Sequence, residues 1–426
     1  MTSKEGTLLL SLRAIRDSLL VPVVPQIQVT LGCNFGCSYC FQDHRSREMI
    51  DPGIAALILA KCARYNGARL RRSGRATVEV YWHGGEPLLA GLEFFREMLR
   101  VQAGFPGVSF CNHLQTNGSL LSDDLAQFLV EQRFQIGFSL DGSPEINDRQ
   151  RRMKGAGESA FEATWRGIQN FRRYVPNGRV PVIAVITRES VTRPKELYAF
   201  FKELGAQVQL DIYDLRCADL RSGRGSVLFH QAPAQDEIRD FLIELFDLWF
   251  HDPERRVDFK ELQDELDGVL KPVRYFPNPL HKKRCHLGRT IFDPKGVVFA
   301  CDQYVNDPAT AIGDIRRDSV AAIMRRKAAE WDRVKRVIRR SPVAMACQTC
   351  EWGSSCRGGC LTCLKYNSML LDARAKGLPD DHWPMASVAE PLRQLAGETY
   401  YCDALRALRD HIRREVRREL AKDDGR

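Results

Sequence analysis

No run of apolar residues in the sequence is long enough to cross a bilayer. The stretch Thr7-Leu8-Leu9-Leu10-Ser11-Leu12 is broken by Arg13, Arg16 and Asp17, well short of the roughly 18 residues that a span requires. A small-residue cleavage site after a basic start is missing as well, which argues against a secretory signal, so a soluble, cytoplasmic protein is expected. There are no internal repeats or low-complexity tracts. With 44% hydrophobic and 27% charged residues, the composition excludes a disordered, collagenous or coiled-coil chain. Neither sign of charge dominates, since 63 Lys and Arg against 54 Asp and Glu leave +9. The excess is spread as Arg, densest over 325–340 and 406–418, a pattern of solvated helix faces that would equally suit an acidic peptide or nucleic acid. Cysteine, by contrast, is plentiful: the chain has 14, in groups. Cys33, Cys37 and Cys40 lie together near the start, and Cys285, Cys301, Cys347, Cys350, Cys356, Cys360, Cys363 and Cys402 crowd the last third. Clustered thiols without a secretory signal point to metal rather than disulfides.

At roughly 100–200 residues per domain, the 426 residues imply two or three units. Between 25 and 217, short β-rich runs alternate with longer amphipathic stretches, the pattern of parallel β/α repeats. Six strands are predicted, at 26–31, 77–82, 108–116, 135–140, 180–186 and 207–213. Asp51-Pro52 and Ser122 open helices between them. The fold class expected is α/β, an open (β/α)6 barrel smaller than an eightfold one. Residues 1–24 read as an extension, 218–284 as a linker with bridging helices, 285–410 as a small Cys-rich domain and 411–426 as a charged tail. That Cys-rich part has too few long apolar segments for a large core, and ligated metal would supply the missing stability.

The first cluster, Leu31-Gly32-Cys33-Asn34-Phe35-Gly36-Cys37-Ser38-Tyr39-Cys40-Phe41, leaves the first strand with the spacing C-x3-C-x2-C. Structural zinc normally takes four protein ligands in two separated pairs. Three thiolates on one loop suit a four-iron, four-sulfur cube with one iron left open, at the strand ends where β/α barrels carry their sites. The loop resembles the signature of the radical S-adenosylmethionine (SAM) superfamily, including the aromatic Tyr39. That resemblance implies that the open iron chelates SAM and that its reductive cleavage gives a 5′-deoxyadenosyl radical, with an external reductant such as flavodoxin or ferredoxin. His83-Gly84-Gly85-Glu86-Pro87 after the second strand resembles the family's GGEP motif, which holds the methionine amino group. Gln115-Thr116-Asn117-Gly118 and Ser139-Leu140-Asp141-Gly142 end the next two strands. Arg151 matches an arginine that pairs with the SAM carboxylate, a partner suited to its fork. The cofactor-binding set expected is therefore Tyr39, Gly84, Gly85, Glu86, Pro87, Thr116, Asn117, Ser139, Asp141 and Arg151. Cys62, Cys111 and Cys217 are read as small core residues.

In the last third, Cys285-x10-Gly296-x4-Cys301, then Cys347-x2-Cys350-x5-Cys356-x3-Cys360, then Cys402 resembles the seven-cysteine SPASM domain of radical enzymes that modify peptides and proteins. The resemblance implies two auxiliary four-iron, four-sulfur clusters, three clusters in all. Cys347, Cys350, Cys356 and Cys402 would hold the outer one, and Cys285, Cys301 and Cys360 the inner. Sulfatase-maturing relatives supply a fourth inner cysteine, but none lies between Cys285 and Cys301 here. Cys363 reads equally as a spare ligand or a free thiol.

The likeness is nearest to anaerobic sulfatase maturases, through residues 86–95, 115–118 and Cys301-Asp302-Gln303-Tyr304-Val305. In that family an aspartate in the position of Asp302 is proposed to deprotonate the substrate, which makes Asp302 the candidate base, although it would also serve as a turn cap. The missing inner cysteine, and Gln42 where those maturases favour an aromatic, move the leading expectation to a maturase that crosslinks a ribosomally made peptide. Oxidation of a sulfatase Cys or Ser to formylglycine is the alternative. No separate peptide-binding domain is expected before Cys33. A metal-bound scaffold that grips nucleic acid would explain the arginines but not Gly84–Pro87 beside an open-site cluster, so neither nucleic acid nor membrane is expected as a partner.

Overall fold

The computed structural model describes residues 21–40, 42, 46–70, 76–155, 157–213, 231–270, 288–305, 308–339, 349–353 and 402–423. Along the chain run β1 (Val24–Thr30), α1 (Pro52–Leu70), β2 (Ala76–Gly84), α2 (Gly91–Ala103), β3 (Val108–Thr116), α3 (Asp123–Glu131), β4 (Gln135–Ser139), α4 (Pro144–Gln150) and α5 (Ala160–Tyr174). There follow β5 (Val180–Ile186), α6 (Pro194–Leu204), β6 (Ala206–Ile212), α7 (Gln235–Phe250), β7 (Asp258–Phe259) and α8 (Lys260–Leu270). The last elements are β8 (Arg289–Phe292), β9 (Val297–Phe299), β10 (Ala311–Asp314), α9 (Val320–Arg339) and α10 (Cys402–Asp423). None of the helices among the described residues is long and apolar enough to cross a membrane.

Two compact units emerge. The first holds the described residues of Met1–Ser139, Arg151–Gly178 and Arg284–Lys335. Its strands lie in the order β10-β9-β8-β1-β2-β3-β4, without closure. Neighbours from β8 to β4 are parallel, and β9 and β10 continue antiparallel. The six β/α strands lie where the sequence predicts them, within two residues. Three more come from the Cys-rich region: β8 pairs with β1 through Gln26–Ile291 and Ile27–Phe292. Asp51 caps α1, its Oδ1 accepting from Gly53 N–H at 2.8 Å, and Ser122 caps α3.

Strand alternation decides which side chains reach the site. Ile27 and Trp82 share one face, where the Trp82 ring meets Phe94 and Phe95 of α2 edge-on at 5.7 and 5.9 Å. The other face is polar. Tyr81 stacks on His113 at 4.3 Å, and the Arg289 guanidinium lies 4.1 Å over Tyr81. One sequence reading fails here. Cys62 is fully buried as expected, but Cys111 sits half-buried on the polar face with its Sγ 3.5 Å from His113 Nε2. An apolar strand signals a core without saying which of its two faces a residue takes. Cys217 lies outside the described residues.

The second unit holds the described residues of Leu140–Gln150, Arg179–Lys283 and Arg336–Arg426. Its strands β5, β6 and β7 are parallel. Helix α10 is tied to α8 by a buried ion pair, with Arg409 Nε 2.6 Å from Glu265 Oε2. Glu261, fully buried on α8, accepts from Leu210 N–H at 2.8 Å, and burial raises its pKa from 4.5 to about 8. A folded pKa above the unfolded one means that stability is lost as pH rises through that window, by up to about 1.4 kcal/mol per pH unit. Glu261→Gln, which keeps an acceptor for Leu210, is therefore expected to melt above the parent at pH 9 and level with it at pH 4.5, as checked by thermal unfolding at both values.

Candidate active site

The loop bearing Cys33, Cys37 and Cys40 leaves the end of β1 and is clamped on both sides by backbone. Gly85 N–H donates to Thr30 O (2.7 Å) and Glu86 N–H to Gly32 O (2.9 Å). Opposite, Gly36 N–H donates to Arg152 O (2.7 Å) and Lys154 N–H to Asn34 O (2.8 Å). The need for two glycines becomes concrete here. Gly84 has φ +125°, and a Cβ there would stand 2.3 Å from Thr30 O; one on Gly85 would stand 2.0 Å from Gly32 O. The close approach that the glycines permit is thus to the thiol loop itself.

Glu86 is fully buried. Its Oε1 accepts from Leu88 N–H (2.9 Å) and Thr116 Oγ1 (2.8 Å), its Oε2 from Asn117 N–H (2.8 Å). The carboxyl therefore pins the end of β3 to the end of β2. Burial pushes its pKa from 4.5 to about 7 against those three bonds. Pro87 opens a short 3-10 turn, Pro87–Ala90, directly after it. Asn117 carries the link onward: its Nδ2 lies 2.9 Å from Asn34 Oδ1 and 3.9 Å from Cys33 Sγ, and its Oδ1 accepts from Ser119 Oγ at 2.7 Å. Thr164 of α5 holds the Asn117 carbonyl at 2.7 Å. Asn34, Ser119 and Thr164 escaped the sequence reading because their partners lie dozens of residues away. Arg151, where a solvated residue would be ordinary, is 6% exposed, with its guanidinium 5.4 Å over the Tyr39 ring.

Burial lifts the Cys33 thiol to about 11, with Glu86 and Cys37 adding to it, and the Cys40 thiol to about 12, again with Cys37 adding. Thiols so disposed give up their protons to metal rather than to water. Three thiols on one short loop at the end of β1 match what a four-iron, four-sulfur cube takes, one thiolate at each of three irons. The donor set fits a cluster.

Tyr39, Gly84, Gly85, Glu86, Pro87, Thr116, Asn117 and Arg151 thus lie in the first unit with the three cysteines. Ser139 is there too, bonded through its Oγ to Gln115 Nε2 at 2.9 Å. Asp141 belongs to the second unit, where its carboxylate accepts from Val185 N–H (2.9 Å) and Gln150 Nε2 (3.1 Å). Cys301 and Asp302 follow β9 in the first unit, and the thiol donates to Asp302 Oδ1 at 3.3 Å. Cys350 and Cys402 are in the second unit, where Trp352 lies under the Arg413 guanidinium at 4.3 Å. Cys285, Cys347, Cys356, Cys360 and Cys363 lie outside the described residues.

Residues 27–201 match the radical SAM superfamily and residues 285–351 match SPASM, the iron-sulfur cluster-binding domain. An open parallel α/β sheet, a loop of three thiols at the end of its first strand and these two domains define a radical SAM/SPASM enzyme with a partial barrel. Its domains imply SAM and four-iron, four-sulfur clusters as cofactors. Among known proteins, the chain is 28% identical over 355 residues to a cysteine-type anaerobic sulfatase-maturating enzyme of Clostridium perfringens, covering 78% of this chain and 86% of that one. Its fold resembles that of native anSMEcpe with bound AdoMet and Cp18Cys peptide, with TM-score 0.67, 21% identity and coverage of 91% and 96%. It also resembles SuiB of Streptococcus suis bound to the precursor peptide SuiA, with TM-score 0.57, 14% identity and coverage of 85% and 76%.

Proposed function

We propose that the protein oxidises the β-carbon of a Cys or Ser side chain in a protein substrate, the reaction of a sulfatase-maturating enzyme. From sequence alone, peptide crosslinking ranks first; the 28% identity to a cysteine-type maturase, over 78% of this chain, weighs for the alternative. The observation that carries this reading is Asp302, set beside Cys301 on the turn that ends β9, in the same compact unit as the three-thiol loop. SAM and three clusters, when bound, supply the hydrogen-abstracting radical and an electron sink.

The chain's residues have these tasks in the proposal. Cys33, Cys37 and Cys40 hold the first cluster, and the SPASM cysteines the other two. Arg151, buried against Tyr39, takes the SAM carboxylate, and the backbone of Gly84–Pro87 with Thr116, Asn117 and Ser139, all in the same unit, forms the remaining SAM-binding positions. Asp302 accepts the proton of the substrate thiol or hydroxyl. Loss of that proton, of a β-hydrogen atom and of one electron turns Ser directly into an aldehyde. With Cys it gives a thioaldehyde, which water converts to the same aldehyde with release of hydrogen sulfide.

Asp302→Asn is expected to lower aldehyde formation by about 10²–10⁴-fold, the usual worth of a positioned base, while 5′-deoxyadenosine release stays within a few-fold of the parent. Mass spectrometry of a sulfatase-derived peptide after anaerobic turnover tests the whole reading: an aldehyde at Cys or Ser with a complete fragment series supports it. Loss of two hydrogens with no fragment ions between two residues would instead establish crosslinking, which the absence of a cysteine between Cys285 and Cys301 favours.

A further inference from the structure

Residues 152–154 run beside the thiol loop, joined to it by the antiparallel bridge between Phe35 and Met153. Two cations lie on that segment. Arg152 and Lys154 are exposed, and among the described residues neither makes an ion pair. By contrast, Arg149 pairs with Glu145 and Glu189, Arg166 with Glu158, and Arg173 with Asp123. The Lys154 side chain lies across Gly36, 3.7 Å from where a Cβ would stand. From Asn34, whose carbonyl accepts from Lys154 N–H, a bond of 2.8 Å leads to Ser119 Oγ. Ser119 lines a groove of about 390 Å³ whose other walls include Leu120, Arg166, Asn170 and Arg173.

Unneutralised charge costs little in water and gains most when a partner of opposite sign arrives, because charge complementarity raises the rate of encounter more than the final affinity. Electron-transfer complexes have this character, being small and transient. Here the cations flank the loop whose cluster, in the proposed function, must be reduced before any chemistry starts.

We propose that the exposed edge 152–154, together with the adjoining groove at Ser119, is the docking surface for an acidic one-electron donor protein carrying a flavin. In each encounter the donor is oxidised by one electron, and the metal centre held by Cys33, Cys37 and Cys40 is reduced by one. The inference rests on the radical SAM assignment. That assignment is tested separately, because dithionite, a small reductant, needs no docking surface.

The test uses the cluster-loaded enzyme and oxidised flavodoxin, which binds without transferring an electron. In fluorescence anisotropy at low ionic strength, the double variant Arg152→Glu/Lys154→Glu is expected to bind flavodoxin about tenfold or more weakly than the parent, equivalent to about 1.4 kcal/mol. Dithionite-driven 5′-deoxyadenosine formation should change far less. Binding within twofold of the parent would overturn the proposal, and so would weakened binding of an acidic substrate peptide with flavodoxin binding unchanged. Should the reversed charges disturb the loop, Arg152→Gln/Lys154→Gln gives a ratio independent of total activity. The fall of flavodoxin-driven turnover with salt should flatten in that variant, and an unaltered salt dependence would sink the docking surface. Failure of dithionite to drive SAM cleavage in the parent would instead strike at the enzyme class.

Discussion

Ala in place of Cys33, Cys37 or Cys40 is expected to take 5′-deoxyadenosine formation below detection. The loss should exceed the roughly 10–100-fold that removing an outer-shell partner costs a metal site, since here a ligand itself is gone. Iron content should drop by about four atoms per chain, the complement of one cube, leaving the auxiliary iron in place. Iron assay and anaerobic absorbance check the count, and chromatographic assay of 5′-deoxyadenosine checks the activity. Burial already pushes the Cys33 thiol up to about 11 and the Cys40 thiol up to about 12, so the two cysteines left in each variant would have to ionise against burial with one thiolate too few to hold the cube. Retention of all the iron and of SAM cleavage in the three variants would show that the loop holds no cluster.

Gly85→Ala is the second large effect. A methyl group 2.0 Å from the Gly32 carbonyl oxygen cannot be accommodated by rotating a side chain, because its neighbour is backbone. Either the thiol loop moves off β2 or the strand end does, breaking the bonds from Gly85 to Thr30 and from Glu86 to Gly32. A stability loss of about 3 kcal/mol or more is expected, together with poor cluster incorporation. Gly268→Ala on α8, where an added Cβ meets nothing within 4 Å, should instead stabilise by up to about 1 kcal/mol. Denaturant melts of the two variants, with iron content measured in parallel, test the contrast. If Gly85→Ala matched Gly268→Ala in both, the clamp would not exist in solution.

Much of the fold was legible because parallel β/α units announce themselves locally, by apolar runs, an Asp51-Pro52 start and a Ser122 cap. The six barrel strands follow from that alphabet. Strands β8 to β10 were not foreseen, since four or fewer residues each, in a Cys-rich stretch, carry too weak a periodic signal, and the pairing of Ile291 with Gln26 is entirely long-range. At the site, the thiol loop and Gly84–Glu86 could be singled out directly from their residue types and spacing. What the glycines and Glu86 touch could not: the motif resembles a cofactor cradle, while the geometry gives its glycines to the loop backbone and its carboxyl to Leu88, Thr116 and Asn117. Asn34 and Ser119 belong to the same case. An Asn between two cysteines looks like a solvated spacer until a residue 85 positions later is found within 2.8 Å of it.

The pairing of β8 with β1 also bears on how such proteins are dissected and recombined. Residues 289–292 fall inside the SPASM match, yet they complete the edge of the strand that delivers the radical loop. A truncation after the barrel would strip β1 of that neighbour and expose a row of unpaired amides and carbonyls. Chimeras that graft a foreign SPASM segment at residue 284 would have to rebuild the same ladder, so the workable seam for exchanging modules lies beyond Lys335, where the first unit ends, not at the start of the cysteine-rich region.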